Sequence, residues 1–188
     1  VYLEAKDGWH RHPFTLSSSP HDEHVRVTVK ALGDYTSRLT ELVEPGMPAV
    51  IGGPHGRFSW KKGTRRQAWI AGGVGVAPFL SWLRSLDTAG PGTVPVVDFF
   101  WSTDGDHPFA EEIAQIAARH PSVRVHLVDT RRDGRLTADD VVAALGPEVA
   151  SASAFLCGPE GMLRALHKGL RAAGVPRLRI HREHFDWR

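Results

Sequence analysis

One cysteine among 188 residues rules out an internal disulfide and fits a reducing compartment. Charge of one sign is lacking too: 23 Lys and Arg stand against 21 Asp and Glu, a formal +2. No charge run exceeds a few residues, so nothing argues for a nucleic-acid partner or a polybasic tail. The 11 histidines add charge only below neutral pH. His10 with His12, His21 with His24 and His181 with His184 are closely spaced, but no cysteine or carboxylate cluster completes a metal site, and none is expected. No long hydrophobic run is present. The longest apolar stretch, 69–83, is broken by Gly72, Gly73, Gly75 and Pro78 and is too short to cross a bilayer. Repeats, low-complexity tracts and a secretory signal are also missing. A cytosolic setting is the expectation.

What is present is ordinary globular composition, 41% hydrophobic and 23% charged, enough for one domain or two small ones with a core. The chain opens on Val1-Tyr2-Leu3-Glu4-Ala5, which reads at once as a strand and suggests a piece of something longer. Residues 1–60 carry all-β grammar. Val25-Arg26-Val27-Thr28-Val29-Lys30-Ala31 alternates apolar and polar like a half-buried antiparallel strand, and 14–18 and 49–52 are shorter candidates. Four or so strands make an incomplete barrel, with edges to be covered from elsewhere. A stretch without periodicity, 57–66, links this half to the next.

Residues 66–188 alternate strand and helix. Strands are expected at 68–71, 94–101, 123–128, 154–156 and 178–181; helices follow Pro78, Pro108, Thr137 and Pro159. Thr137 with Asp140 spells a capping box, and Gly146 and Gly174 stand where helices end. Such alternation argues for a parallel sheet with helices on both faces.

The most informative residues are Gly72-Gly73-Val74-Gly75-Val76-Ala77-Pro78. A strand that breaks into glycines and then starts a helix leaves bare backbone N–H groups at the helix N-terminus, where a pyrophosphate can be held. Pro78 suits the first helical turn. The pattern is GxGxxP rather than the full GxGxxG, so taken alone it also fits a tight turn.

Four segments in order extend the reading: His12-Pro13-Phe14-Thr15-Leu16-Ser17-Ser18, the loop 72–78, Phe155-Leu156-Cys157-Gly158-Pro159, and Arg182-Glu183-His184-Phe185. Together they resemble the ferredoxin–NADP reductase superfamily, most closely the cytosolic dehydrogenase domain of ferric reductases and NADPH oxidases. The resemblance covers nearly the whole chain. It implies a partial antiparallel FAD-binding β-barrel at 1–60 and a Rossmann-like parallel α/β domain at 66–188 that binds NADPH. Phe14 would pack on the isoalloxazine, the Thr15 hydroxyl would approach flavin N5, and His12 stands where many relatives place an arginine for the flavin pyrophosphate. Pro13 belongs to the same element. Gly33, Thr36 and Ser37 resemble a second flavin-phosphate element, with Thr36 capping a short helix over 37–42 and Lys30 pairing with the phosphate. Gly53-Pro54-His55-Gly56-Arg57-Phe58 resembles the turn that closes the barrel.

For the dinucleotide the resemblance implies Gly72, Gly73, Gly75, Val76, Ala77 and Pro78, then Gly158 and Pro159, with Cys157 beside the nicotinamide C4. Read locally, Cys157 is also an ordinary buried small residue. Glu183 would join the hydrogen-bond network at the transfer site, and Phe185 would cover the flavin face, with Trp187 as its competitor. Thr130, Arg131 and Arg135 lie in the loop expected to meet the adenosine ribose. A fork of Arg131 and Arg135 argues for NADPH, while Asp104, Asp129 and Asp133 leave NADH as the alternative. The implied reaction is hydride transfer from NADPH to FAD, then release of single electrons to an acceptor: a haem-bearing membrane domain of the same full-length chain, ferric iron or dioxygen. A soluble reductase serving a ferredoxin or oxygenase uses the same parts, and a non-catalytic nucleotide-binding module is the alternative of another class.

Overall fold

The computed structural model describes residues 2–4 (backbone), 12–53, 55–90 and 92–183. Pro54, His184, Phe185 and Trp187 lie outside the described residues.

The N-terminal half holds a small antiparallel sheet in the order β2-β1-β3, made of β1 (Tyr2–Glu4), β2 (His12–Pro13) and β3 (Val50–Gly52). The alternating run 25–31 is not a strand: it meets the preceding segment at one bridge, Leu16 to Val27. Hydroxyl groups take the place of the ladder there. Ser18 Oγ accepts the Arg26 N–H, and Ser19 and Asp22 close the turn through Ser19 N–H to Asp22 Oδ2. Val25 keeps 56% of its surface exposed, so alternation here has no face to bury. The expected helix over 37–42 is instead two single turns, α1 (Asp34–Ser37) and α2 (Leu39–Leu42), with Gly33 rather than Thr36 at the N-cap. Thr36 reaches back instead, its Oγ1 accepting the N–H groups of Leu32 and Gly33, each at 3.1 Å.

The second half is a five-stranded parallel sheet in the order β6-β5-β4-β7-β8. Its strands are β4 (Arg66–Gly72), β5 (Val96–Thr103), β6 (Val123–Asp129), β7 (Ser153–Cys157) and β8 (Ile180–Glu183). Helix α3 (Ala77–Arg84) and α4 (Ala110–Arg119) cover one face; α5 (Ala138–Leu145) and α6 (Glu160–Ala172) cover the other. Every residue of β4 is buried, as a central parallel strand requires. Trp69, Phe79, Trp82, Phe99 and Phe155 fill the α3 side, and Ile70, Leu145, Leu156, Leu163 and Leu166 the α5–α6 side. The Thr137–Asp140 capping box opens α5. This strand order reverses direction between β4 and β7, and ligands of open α/β sheets bind at such a switch point, beyond the carboxyl ends of the strands.

The last strand is shifted from its expected place. Leu178 sits in a short turn with 90% of its surface exposed, and pairing begins at Ile180. In this register Glu183 lies beside Cys157, so a carboxylate stands at the carboxyl edge of the sheet, one strand from the switch point.

A buried ion cluster anchors the other end of the sheet. Asp98 on β5 has no exposed side-chain surface and accepts from Arg66 Nη2, from Arg124 Nε at 2.9 Å and from His126 Nε2 at 2.8 Å. Arg66 and Arg124 also donate to the Ala144 carbonyl at the end of α5. Although burial pushes the Asp98 carboxyl up, the hydrogen bonds from His126, Arg124 and Arg66 outweigh it and hold the group down at about 2, against its ordinary 3.8. A depressed folded value means that the stabilisation is present above pH ~4 and is lost as pH falls toward 2. Asp98→Ala leaves two guanidinium groups without their buried partner and is expected to cost about 3 kcal/mol or more in chemical denaturation at neutral pH. The difference between variant and parent should shrink as pH drops below ~4; a variant within 1 kcal/mol of the parent at neutral pH would contradict this role.

Candidate functional site

Three segments converge at the carboxyl edge of the sheet. β4 ends in Gly72, and the chain turns through Gly73 at φ 54° into a short 3-10 turn before α3. Val76, Ala77 and Pro78 are buried at the start of that helix. Trp101 Nε1 donates to the Gly73 carbonyl at 3.0 Å and fixes the loop against β5. The glycines are steric requirements. A Cβ on Gly75 would lie 2.6 Å from the Cys157 carbonyl carbon and 2.9 Å from Gly158 Cα. A Cβ on Gly72 would meet Met162 Sδ and Pro159 Cδ, each at 2.7 Å. Two loops thus cross backbone to backbone, as the glycines of a pyrophosphate-binding turn allow.

Cys157 itself is fully buried, packed on the α3 side of the sheet. Burial, reinforced by the Glu183 charge, pushes its thiol well above the usual thiol range. It is therefore a neutral thiol, not a thiolate nucleophile. Burial also pushes the Glu183 carboxyl up.

A hollow of about 180 Å³ is lined by Phe14, Thr15, Pro78, Trp82 and Glu183 together with Phe58. It brings Thr15 of the first half to Pro78 and Glu183 of the second. Phe14 also borders a larger cavity of about 550 Å³, shared with His12, Pro13, Lys30, Gly33 and Thr36. Ser37 is exposed and does not line it. Val74 of the glycine loop does. Tyr35 and Val74 are among the lining residues that the sequence does not single out. Tyr35 stacks on His12, ring centroids 3.5 Å apart and planes 11° apart, and Val74 brings the glycine loop into the cavity wall. Tyr35 lay inside the Gly33–Ser37 motif, so its position was visible and its stacking partner was not.

The cavity fits a flavin nucleotide on its own evidence. His12 Nε2 is buried there without a hydrogen-bond partner among the described residues, and a buried polar atom of this kind calls for one. Lys30 adds a cation at the rim. The other expected ligands are dispersed. Thr130 donates its N–H to the Thr103 carbonyl at 2.8 Å, Arg131 is paired with Asp104, and Arg135 is exposed.

The halves are held together by Phe58, which stacks on Trp82 at 4.8 Å and meets Phe155 edge-on at 5.7 Å. Arg84 on α3 binds both oxygens of Glu112 and donates to the Ser17 carbonyl across the junction.

This pair of halves is that of a two-cofactor flavin and nicotinamide protein. Residues 69–168 match the oxidoreductase NAD-binding domain family, and residues 1–69 match the FAD-binding domain family. The chain belongs to the ferredoxin–NADP reductase superfamily, through its oxidoreductase NAD-binding domain joined to an FAD-binding domain. It is 33% identical over 178 residues to the ferredoxin reductase component of a Rhodococcus rhodochrous 3-ketosteroid-9-alpha-monooxygenase, covering 92% of this chain and 50% of that one. It is 32% identical to a Chromobacterium violaceum flavohemoprotein, over 92% of this chain and 47% of that protein. The chain spans about half the length of these curated relatives. The Amycolatopsis cytochrome P450 reductase GcoB superposes with a TM-score of 0.80 at 25% identity, covering 98% of this chain and 60% of that one. The flavohem-like FAD/NAD-binding domain of a Vibrio cholerae nitric oxide dioxygenase shares the fold with a TM-score of 0.80 at 24% identity, over 98% of this chain and 83% of that one.

Gly75→Ala is expected to destabilise the chain by about 2 kcal/mol in thermal unfolding, because overpacking at a backbone contact has no flexible group to absorb it. The same variant should lose affinity for adenosine 5′-monophosphate. A parent-like melting temperature with unchanged affinity would show that the close approach is not needed.

Proposed function

We propose that this chain is the reductase unit of an electron-transfer flavoprotein, moving hydride from NAD(P)H to FAD and then single electrons to an acceptor. The observation that carries the proposal is the shared hollow, where Thr15, Pro78 and Glu183 from separate segments line one space adjoining the flavin-sized cavity. The FAD-binding part is assigned to residues 1–60 and the nucleotide-binding part to 66–188. When bound, FAD takes up two electrons as hydride and can release them one at a time.

The protein's share is geometric and electrostatic. His12, Pro13, Phe14, Lys30, Gly33 and Thr36 form the FAD site, with Phe185 as the covering aromatic residue and Ser37 at its margin. The glycine loop with Gly158 and Pro159 holds the pyrophosphate of the nicotinamide nucleotide at the N-terminus of α3. Thr15 Oγ1 serves as a hydrogen-bond partner where flavin N5 is placed. Cys157, buried at the end of β7 beside Glu183, acts from beneath the hollow by packing, and the Glu183 carboxyl, pushed up by burial, can hold a proton at the hollow. Phe58 and Trp82 exclude water from one side. Fixing two rings face to face removes the orientational part of the barrier.

The acceptor is a one-electron carrier. Relatives named as ferredoxin reductase components and flavohemoproteins support an oxygenase, ferredoxin or haem partner. The finer reading from the motif resemblance is a haem-bearing membrane domain met from the cytosolic side. Among the described residues no helix is long and apolar enough to cross a membrane.

Purified protein reconstituted with FAD should be yellow and reduce ferricyanide with NAD(P)H. Colourless protein that still binds adenine nucleotide would overturn the enzyme in favour of a binding module. Cys157→Ala is expected to retain flavin and slow single-turnover flavin reduction by about tenfold; unchanged kinetics would remove Cys157 from the transfer site.

A further inference from the structure

The loop that meets the adenosine ribose is built differently from the phosphate fork that its arginines suggest. Asp104 follows directly on β5, the strand paired with the glycine-loop strand, with Gly72 opposite Ser102. In a sheet of this order, that is the place from which an acidic side chain reaches the ribose 2′-hydroxyl of a dinucleotide. Its carboxylate accepts from Arg131 Nε on the neighbouring loop. Arg131 is not available as a lone cation. Asp129 Oδ1 accepts the Arg131 backbone N–H at 3.0 Å and the Gly105 N–H at 3.2 Å. Asp129 and Asp106 both lie within electrostatic reach of the Arg131 guanidinium. Arg132 is held by Asp133 through two hydrogen bonds, at 2.8 and 3.0 Å. Lys30 is the further cation that Asp104 senses, and it lines the flavin cavity.

The charges decide the ligand. A 2′-phosphate brings up to two negative charges to a guanidinium already facing Asp104, Asp106 and Asp129. It would have to displace Asp104 and remain beside the other carboxylates. A free ribose 2′-hydroxyl instead donates to Asp104 while Arg131 keeps its partner, so nothing is left unpaired. We infer that Asp104, held in place by Arg131, selects the nucleotide with an unphosphorylated ribose, making NADH rather than NADPH the preferred reductant. This rests on the proposed nucleotide site at the glycine loop and names its specificity. Arg131 acts here through Asp104, as a positioning residue.

The test is calorimetric titration with two probes, adenosine 5′-monophosphate and adenosine 2′,5′-bisphosphate, which differ only in the 2′-phosphate and need no flavin. The parent chain should bind the monophosphate about tenfold more tightly, the effect of one unfavourable charge contact at a surface site. Asp104→Asn, an exposed substitution, should narrow or reverse that ratio by about tenfold while leaving the melting temperature unchanged. Tighter binding of the bisphosphate by the parent, or an unchanged ratio in the variant, would overturn the selectivity while leaving the nucleotide site standing. Binding of neither probe would overturn the site and the selectivity together.

Discussion

Everything at the carboxyl edge of the sheet depends on one close approach. The loop after β4 and the loop after β7 pack against each other, Gly75 on the backbone of Cys157 and Gly158, and Gly72 on Gly158 and on the Pro159 and Met162 side chains. Side chains on either glycine would wedge the loops apart and fill the crevice between them. Because that approach leaves no room for a Cβ, the N-terminus of α3 stands open toward the switch point of the sheet. The rest of the domain serves to hold this contact. Trp101 ties the glycine loop to β5, and the aromatic layer of Trp69, Phe79 and Trp82 locks α3 on the strands beneath it. At the opposite end, Asp98 gathers Arg66, Arg124 and His126 and pins the end of α5.

A second constraint joins the halves. Phe58 enters the aromatic layer of the α/β half from the linker side, and Arg84 reaches from α3 to the Ser17 carbonyl. These contacts set the segment carrying Phe14 and Thr15 over Pro78 and Glu183. Without them the cavity lined by His12 and Lys30 and the glycine loop would lie apart. With them, Val74 of the loop is part of the cavity wall.

Much of this was legible in the chain. The helices after Pro78, Thr137 and Pro159 announce themselves by caps and apolar spacing, and the buried strands 68–71 and 154–156 by unbroken apolar runs. The glycine loop was readable because its chemistry is local. The failures share a physical cause. Val25 to Ala31 alternates as a strand should, yet periodicity describes a face and says nothing about whether anything covers it; here serine hydroxyls and an exposed turn prevailed. Thr36 has the composition of an N-cap but sits one turn inside, where its hydroxyl accepts the Leu32 and Gly33 N–H groups. The register of β8 depends on pairing with β7, a non-local choice, and it is that register which sets Glu183 beside Cys157. The carboxylates near Arg131 were visible in the chain, but its pairing with Asp104 was not, since that residue reaches it from a loop 27 positions away.

Direct hydride transfer requires the two halves to hold the flavin and nicotinamide rings in contact. The most direct measurement is the rate of anaerobic flavin bleaching in the FAD-reconstituted chain, compared between unlabelled nicotinamide cofactor and cofactor deuterated at C4. A normal primary isotope effect, confined to one of the two C4 positions, is the result expected of a single fixed face-to-face geometry. Bleaching that is insensitive to deuterium at either position, or flavin that binds and is never reduced, would contradict it.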